Sequence, residues 1–127
     1  MEKVQGIGGV FFRARDPQAL GAWYAEHLGV DLSQGAWMAG GGPTVLSPFA
    51  QDTDYFSRPE QQWMINFRVR DLEALLAQLR AAGIEIIEDP AWNSEIGRFA
   101  RIHDPEGNPI ELWEPRGPAA LPPEEGR

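Results

Sequence analysis

The sequence predicts an α+β fold in which two tandem β-α-β-β-β modules form curved mixed sheets around a cleft. Three observations predict this fold: an internal repeat, a strand followed by a capped helix in each half, and a hairpin signal near the end. The chain has 127 residues, which is room for one ordinary domain. Its 43% apolar residues, including five Trp and six Phe, exclude an intrinsically disordered chain.

The internal repeat lies in two segments of nine residues. Residues 12–20 (FRARDPQAL) return as residues 67–75 (FRVRDLEAL), and the aligned segments share Phe, Arg, Arg and Asp and close on the same Ala-Leu pair. Self-similarity of this kind indicates two related structural units in one chain.

The domain boundaries follow from this repeat. We assign residues 1–115 to a single domain, with module one at residues 5–49, a linker at 50–62 and module two at 63–115. Residues 116–127 are rich in Pro and poor in large apolar groups, so they are predicted to form a disordered tail.

Module one is predicted to contain a capped helix between short strands. Asp16 is a suitable N-cap, Pro17 suits the first helical position, and Gly29 ends the helix. One face of this helix is apolar, with Leu20, Trp23, Tyr24 and Leu28. The sequence signals for the later strands of this module are weak, because residues 40–43 are rich in glycine.

Module two follows the same plan with clearer signals. Alternation of Ile65, Phe67 and Val69 with more polar neighbours predicts a strand. Asp71 and Gly83 then suit the two ends of a helix. The apolar stripe of this helix consists of Leu72, Leu75, Leu76 and Leu79. Three further strands are predicted at residues 84–88, 98–103 and 109–114, the last two joined by the turn sequence DPEGN at 104–108.

Charge and composition exclude several classes of function. The net charge of −8 argues against nucleic acid and against an anionic membrane surface as partners. The sequence lacks an apolar run of membrane-spanning length and a signal-peptide pattern, so we expect a cytoplasmic protein. The absence of Cys removes disulfides and thiolate metal sites, and two histidines are too few for a three-histidine metal site.

Several motifs make the sequence similar to a known superfamily. The doubled β-α-β-β-β plan, AWY at 22–24 leading to Leu28-Gly29, and RFA at 98–100 running into DPEGNPIEL at 104–112 resemble the vicinal-oxygen-chelate superfamily. That superfamily includes glyoxalase I, bleomycin-resistance proteins and extradiol dioxygenases. The resemblance covers most of the chain, and it implies a cleft between two curved sheets and a homodimer as the assembly.

The resemblance also implies where a metal ion would bind. Catalytic members hold a divalent metal with ligands from the first and last strand of each module, and the matching positions here are Gly9, Val45, Met64 and Glu111. Gly has no side chain, Val has no donor atom, and the Met thioether suits soft ions only. Glu111 alone retains ligand chemistry, so the sequence predicts a degenerate metal site and no cofactor.

Strand alternation predicts which side chains line the cleft. The cleft-facing set consists of Phe11, Arg13, Met64, Asn66, Arg68, Glu111 and Trp113, and Arg101 is predicted as a further ligand contact. A mixture of aromatic walls with a few polar points is typical of small-molecule sites. Trp37, Trp63, Trp92 and Trp113 could stack on a planar ligand, or they could belong to the core or to a dimer interface.

The charged candidates each have two interpretations. Glu111 could act as a base or a residual metal ligand, or it could simply be ion-paired with Arg101 across the hairpin. Arg13 and Arg68 could select an anionic or carbonyl-rich ligand. They could equally bond carboxylates such as Asp16 and Asp71 and so hold each strand to the helix that follows it.

Three functions stay open at this point. The leading hypothesis is a small-molecule-binding protein resembling the bleomycin-resistance branch, which holds its ligand in an aromatic-walled cleft without chemistry. The second is a divalent-metal-dependent lyase, isomerase or dioxygenase of the glyoxalase type. The third is a metal-free enzyme with Glu111 as general base and Arg68 or Arg101 polarising a carbonyl. The sequence leaves open whether any chemistry occurs and which small molecule is bound.

Overall fold

The computed structural model describes residues 1–3, 7–31, 33 and 35–121. Its elements in chain order are helix α1 (Pro17–Leu28), strand β1 (Ile65–Arg68), helix α2 (Leu72–Ala81), strand β2 (Gly97–His103) and strand β3 (Pro109–Pro115). Two short 3-10 helices lie at Pro90–Trp92 and Gly117–Ala119. Within the described ranges, neither α-helix has the length and apolar character needed to cross a membrane.

Both helices begin and end where the sequence predicts. The side chains of Asp16 and Asp71 each accept a hydrogen bond from the backbone N–H three residues further on, at 3.1 and 3.0 Å. These bonds satisfy donors that a helix N-terminus otherwise leaves unpaired. Gly29 and Gly83 follow the two helices with φ angles of 70° and 78°, in the left-handed region that favours glycine.

The three described strands form one mixed sheet in the order β1-β3-β2. The central strand β3 runs parallel to β1 and antiparallel to β2. In this register Glu111 of β3 lies opposite Asn66 of β1 on one side and opposite Arg101 of β2 on the other. The predicted hairpin between β2 and β3 is therefore confirmed.

One face of the sheet packs against both helices and forms the core. The buried residues of this core are Leu20, Tyr24, Leu72, Leu76, Leu79, Ala100, Ile102, Ile110 and Leu112. The apolar stripes predicted for the helices supply five of these residues, and alternate positions of β2 and β3 supply the other four. The residues between them in β2 and β3 consequently face away from the helices.

The β2–β3 turn is built around the buried carboxylate of Asp104, which is 4% exposed. One carboxylate oxygen accepts from the backbone N–H groups of Glu106 and Asn108 at 2.9 and 3.0 Å. The other accepts from the Asn108 amide and from the Tyr24 hydroxyl, both at 2.8 Å. Burial, followed by this hydrogen bond, raises the pKa of Tyr24. Asp104 therefore joins helix α1 to the hairpin.

Parts of the predicted fold differ from the structure. The strand predicted at residues 84–88 is wrong: a single bridge joins Ile87 to Arg101, and the chain then enters the 3-10 turn at Pro90, which has no N–H to continue a ladder. Among its described residues module one contains α1 but no strand, so the tandem plan stays a prediction.

The predicted tail begins with a short 3-10 helix. The 3-10 helix Gly117–Ala119 lies within it, and the backbone N–H of Arg116 donates to the carbonyl of Ile96 at 2.9 Å. Residues 122–127 lie outside the described residues. The disordered tail stays a prediction.

We expect Asp104→Ala to lower the free energy of unfolding by about 3 kcal/mol, because several buried donors lose their acceptor at once. Tyr24→Phe removes one of these bonds and should cost about 1 kcal/mol. Urea denaturation measures both. As a control, Asp31→Ala, which removes only a local bond to the Ser33 N–H in an exposed loop, should change stability by less than about 0.5 kcal/mol. Equal losses of unfolding free energy for Asp104→Ala and Asp31→Ala would contradict the conclusion that Asp104 joins α1 to the hairpin.

Candidate functional site

Three polar side chains cross the sheet in a line on the face away from the helices. We call Asn66, Glu111 and Arg101, one from each strand, the polar row. The Asn66 amide donates to one carboxylate oxygen of Glu111 at 2.8 Å, and the Tyr55 hydroxyl donates to the other in a short hydrogen bond. The structure thus brings together three of the residues that the sequence predicts for the cleft.

Arg101 is the most enclosed member of the polar row, at 5% exposure. Its Nη1 donates to the Ser57 hydroxyl at 3.2 Å, and its guanidinium carbon lies 4.7 Å from the ring centre of Tyr55 and 5.3 Å from that of Trp92. Both distances are within the range of a cation–π interaction. The Nε and Nη2 atoms are buried and have no hydrogen-bond partner.

The interpretation of Glu111 as simply ion-paired with Arg101 is wrong. The two residues lie opposite each other as expected, but no N–O distance of 4 Å or less joins these two described side chains. The physical reason is competition, since both oxygens of Glu111 already accept from the neutral donors of Tyr55 and Asn66. The guanidinium turns instead towards the aromatic rings and Ser57.

Aromatic rings cover this end of the polar row. Tyr55 stacks on Phe49 at a centroid distance of 5.7 Å and meets the edge of Trp92 at 5.8 Å. Phe56 adds a tilted contact to Phe49 at 5.0 Å. Tyr55, Phe56 and Ser57 lie in the predicted linker, outside any periodic segment, so alternation could not select them. Their only sequence signal is the pair of aromatic residues in an otherwise polar stretch.

Trp113 shares the face of the polar row but packs as a structural residue. It is 4% exposed, stacks on Phe99, and its indole N–H donates to the Ile96 carbonyl at 3.1 Å. A side chain at Gly97 would overlap the indole, so this glycine permits the close approach. The structure therefore places Trp113 beside the site without exposing its ring.

The remaining predicted contacts do not belong to the polar row. Arg68 donates to the backbone carbonyls of Pro43 and Gly40 at 2.5 and 2.7 Å, so it bonds a loop and not a capping carboxylate. Arg13 is exposed, and Phe11 is 96% exposed. Their roles as ligand contacts stay predictions.

The residues at the implied metal positions do not fit a metal ion. Val45 is 67% exposed and Gly9 is exposed, and neither has a donor side chain. Met64 is half-buried before β1 and offers only a thioether. Both oxygens of Glu111 already accept hydrogen bonds. In the part of the chain that the structure describes, no three His, Asp or Glu side chains are grouped so that they could hold a metal ion.

The surroundings shift two titrating groups beside the polar row. Burial, the hydrogen bond to Glu111 and the charge of that carboxylate raise the pKa of Tyr55 to about 12. Burial and the nearby charge of Arg101 lower the pKa of His103. The His103 Nε2 lies 2.8 Å from the Ser57 hydroxyl.

Tyrosine titration tests this arrangement. Because the folded-state pKa of Tyr55 is raised, its stabilising contribution should be complete below pH 10 and be lost as the pH rises towards 12. Phenolate absorbance should therefore show the Tyr55 transition near pH 12, and Glu111→Gln should move it to lower pH by removing the repelling charge. Glu73→Gln, on the exposed surface of α2, should leave it in place. A wild-type Tyr55 transition at pH 10 would contradict the bond to Glu111.

Comparison with known proteins identifies relatives of this chain. Two curated relatives, “Putative glyoxylase CFP32” of Mycobacterium bovis and the protein of the same name from Mycobacterium tuberculosis, are each 38% identical over 53 residues. That segment is 42% of this chain and 20% of each relative, so the match spans a fifth of their length.

Solved structures with a similar chain course come from Streptomyces sp. CB03234. The antibiotic-binding protein TnmS3 is 26% identical with a TM-score of 0.49, covering 79% of this chain and 87% of its own. A glyoxalase/bleomycin resistance protein is 26% identical with a TM-score of 0.48, covering 78% and 91%. The family model described as Glyoxalase-like domain matches residues 9–113. Because this match spans most of the sequence, the chain belongs to the glyoxalase-like domain family, within the vicinal-oxygen-chelate superfamily.

Proposed function

We propose that this chain is a small-molecule-binding protein whose ligand lies on the sheet face that carries the polar row, and that binding needs no metal ion. One observation carries this proposal: hydrogen-bonding groups from three strands converge beneath aromatic rings on a face that the helices leave uncovered. Small-molecule sites combine apolar and aromatic walls with a few fixed polar groups in this way.

The polar row is well suited to orient a ligand. Its members project from a hydrogen-bonded sheet, and the amide of Asn66 and the phenol of Tyr55 hold the Glu111 carboxylate in place. Groups that are held before binding lose less conformational entropy when the ligand arrives. Asn66 is exposed and Glu111 half-buried, so solvent reaches this part of the row.

A second candidate is a metal-free enzyme with Glu111 as general base. The specific observation in its favour is the position of Arg101 directly opposite Glu111, where a guanidinium could polarise a carbonyl while the carboxylate removes a proton. The side chains at the implied metal positions give no comparable support to a metal-dependent lyase, isomerase or dioxygenase.

A ligand screen tests the leading proposal. Ligand-observed NMR with aromatic natural products and small anions should yield at least one ligand that is recovered unchanged. Tyr55→Ala should weaken that ligand about ten-fold, because it removes the central ring of the aromatic cover. The matched control Trp37→Ala removes a partly exposed ring that contacts Phe67 on the core face, and it should leave affinity unchanged.

Elemental analysis of tag-free protein separates the alternatives. One equivalent of a divalent metal retained after dialysis would contradict the metal-free proposal and would make glyoxalase and dioxygenase assays the next step. Turnover that survives chelation but is lost in Glu111→Gln would favour the metal-free enzyme over simple binding.

We also propose that the protein is a homodimer. The segment 7–49 exposes several large apolar side chains, with Phe11 at 96%, Met38 at 88% and Leu46 at 87% exposure. Exposed apolar groups in such number are typical of surfaces that a partner covers.

Light scattering after size exclusion should therefore give twice the chain mass of 14.1 kDa. Phe11→Ser should shift the population towards the monomer, because it removes the most exposed phenylalanine, whereas the nearby surface change Gln51→Ser should not. A wild-type monomer at all accessible concentrations would show that the apolar segment is covered in another way.

A further inference from the structure

The strongest unexplained feature of the molecule is the guanidinium of Arg101. At 5% exposure it is a buried cation, and two of its three nitrogens, Nε and Nη2, have no hydrogen-bond partner. Buried charges in proteins are normally paired and fully hydrogen-bonded, because the cost of removing them from water is otherwise unopposed.

The neighbours of Arg101 stabilise its charge without using these two nitrogens. Tyr55 and Trp92 present ring faces to the guanidinium, and such contacts attract the cation but accept no conventional hydrogen bond. The Ser57 hydroxyl accepts a hydrogen bond from Nη1 only. The carboxylate of Glu111 lies opposite Arg101, but it already accepts hydrogen bonds from Tyr55 and Asn66.

The geometry of the unpaired atoms indicates what they would bind. Nε and Nη2 lie on the same edge of the guanidinium and carry two parallel N–H bonds, which match the two oxygens of a carboxylate in a bidentate pair. No acidic side chain among the described residues supplies these oxygens, since both nitrogens lack a partner. A carboxylate supplied by a ligand would give both nitrogens a hydrogen-bond acceptor.

The segment that contacts the guanidinium at Nη1 carries a backbone conformation of unusual cost. Ser57 has a φ of 78°, a left-handed conformation that residues other than glycine rarely adopt. In that conformation its exposed side chain contacts both Arg101 Nη1 and the imidazole Nε2 of His103. Strained residues cluster at functional sites, and Ser57 is in direct contact with the guanidinium.

We propose that Arg101 forms a carboxylate subsite, and that the ligand of this protein is an aromatic or conjugated acid whose carboxylate pairs with Nε and Nη2 while its planar body lies against Tyr55 and Trp92. Because both nitrogens are buried, the acid reaches them only if part of the cover around Arg101 moves. This inference rests on the proposed function, because it assigns a chemical class to the ligand of the same sheet face.

A matched pair of probes tests the subsite. Calorimetry should show that the wild-type protein binds 2-naphthoate at least about ten-fold more tightly than the neutral 2-naphthamide, which has the same rings but no negative charge. Arg101→Gln should abolish this preference, and Arg101→Lys should reduce it because an ammonium cannot form the bidentate pair. The control Arg98→Gln removes a guanidinium of the same strand that pairs with Glu73 and Glu88, and it should keep the preference.

The outcomes separate this inference from the proposed function. Equal binding of the acid and the amide would overturn the carboxylate subsite while supporting a ligand site on this face. Binding of neither probe would also overturn it, and the proposed function would then depend on its own screen of neutral and charged compounds. A preference that persists in Arg101→Gln would place the anion elsewhere.

Stability without ligand provides a second measurement that does not depend on any probe. If the charge of Arg101 serves a ligand, Arg101→Met should leave the thermal midpoint unchanged or raise it, because a buried cation with two unsatisfied nitrogens is replaced by an apolar chain. A clear fall in the midpoint, larger than that of Arg98→Met, would show that Arg101 is a structural residue and would overturn the subsite.

Discussion

The buried carboxylate of Asp104 is the constraint on which the rest of the structure depends. It accepts bonds from the turn backbone, from Asn108 and from Tyr24 of α1, and so it holds the hairpin and the first helix in one arrangement. The hairpin register in turn decides which residues face the helices. A slip of one residue would exchange the faces, burying Arg101 and Glu111 in the core and exposing the apolar residues between them.

The two faces of the sheet consequently differ in their chemistry and in what covers them. The apolar face is closed by helices and supplies the stability of the fold, whereas the other face carries the polar row on three hydrogen-bonded strands. The cover of the polar row comes from irregular segments, with Tyr55 and Ser57 before β1 and Trp92 in a 3-10 turn. Functional side chains are often carried by loops over a rigid scaffold in this way, because loops tolerate conformations such as the positive φ of Ser57.

The chemistry of this face differs from that of a metal centre. The positions that the sequence resemblance predicts for metal ligands hold a glycine, a valine and a methionine, and the carboxylate of Glu111 accepts from neutral donors. What the face offers instead is a cation between rings and a set of fixed hydrogen-bonding groups. The net charge of −8 repels anions at long range, but salt screens that repulsion beyond about 8–10 Å. The local charge of Arg101 can therefore dominate at contact distance.

The sequence by itself determined the elements whose signals are local. Caps, apolar stripes and the DPEGN turn identified both helices and the hairpin, because each signal depends on residues within a few positions of one another. Alternation also selected Asn66 and Glu111, and the hairpin placed Arg101 opposite Glu111. Only the tertiary structure decided that Glu111 bonds Tyr55 and not Arg101, that Trp113 is buried, and that a linker tyrosine and serine join the site. Those outcomes depend on long-range packing and on competition among donors for one carboxylate, which no local pattern encodes.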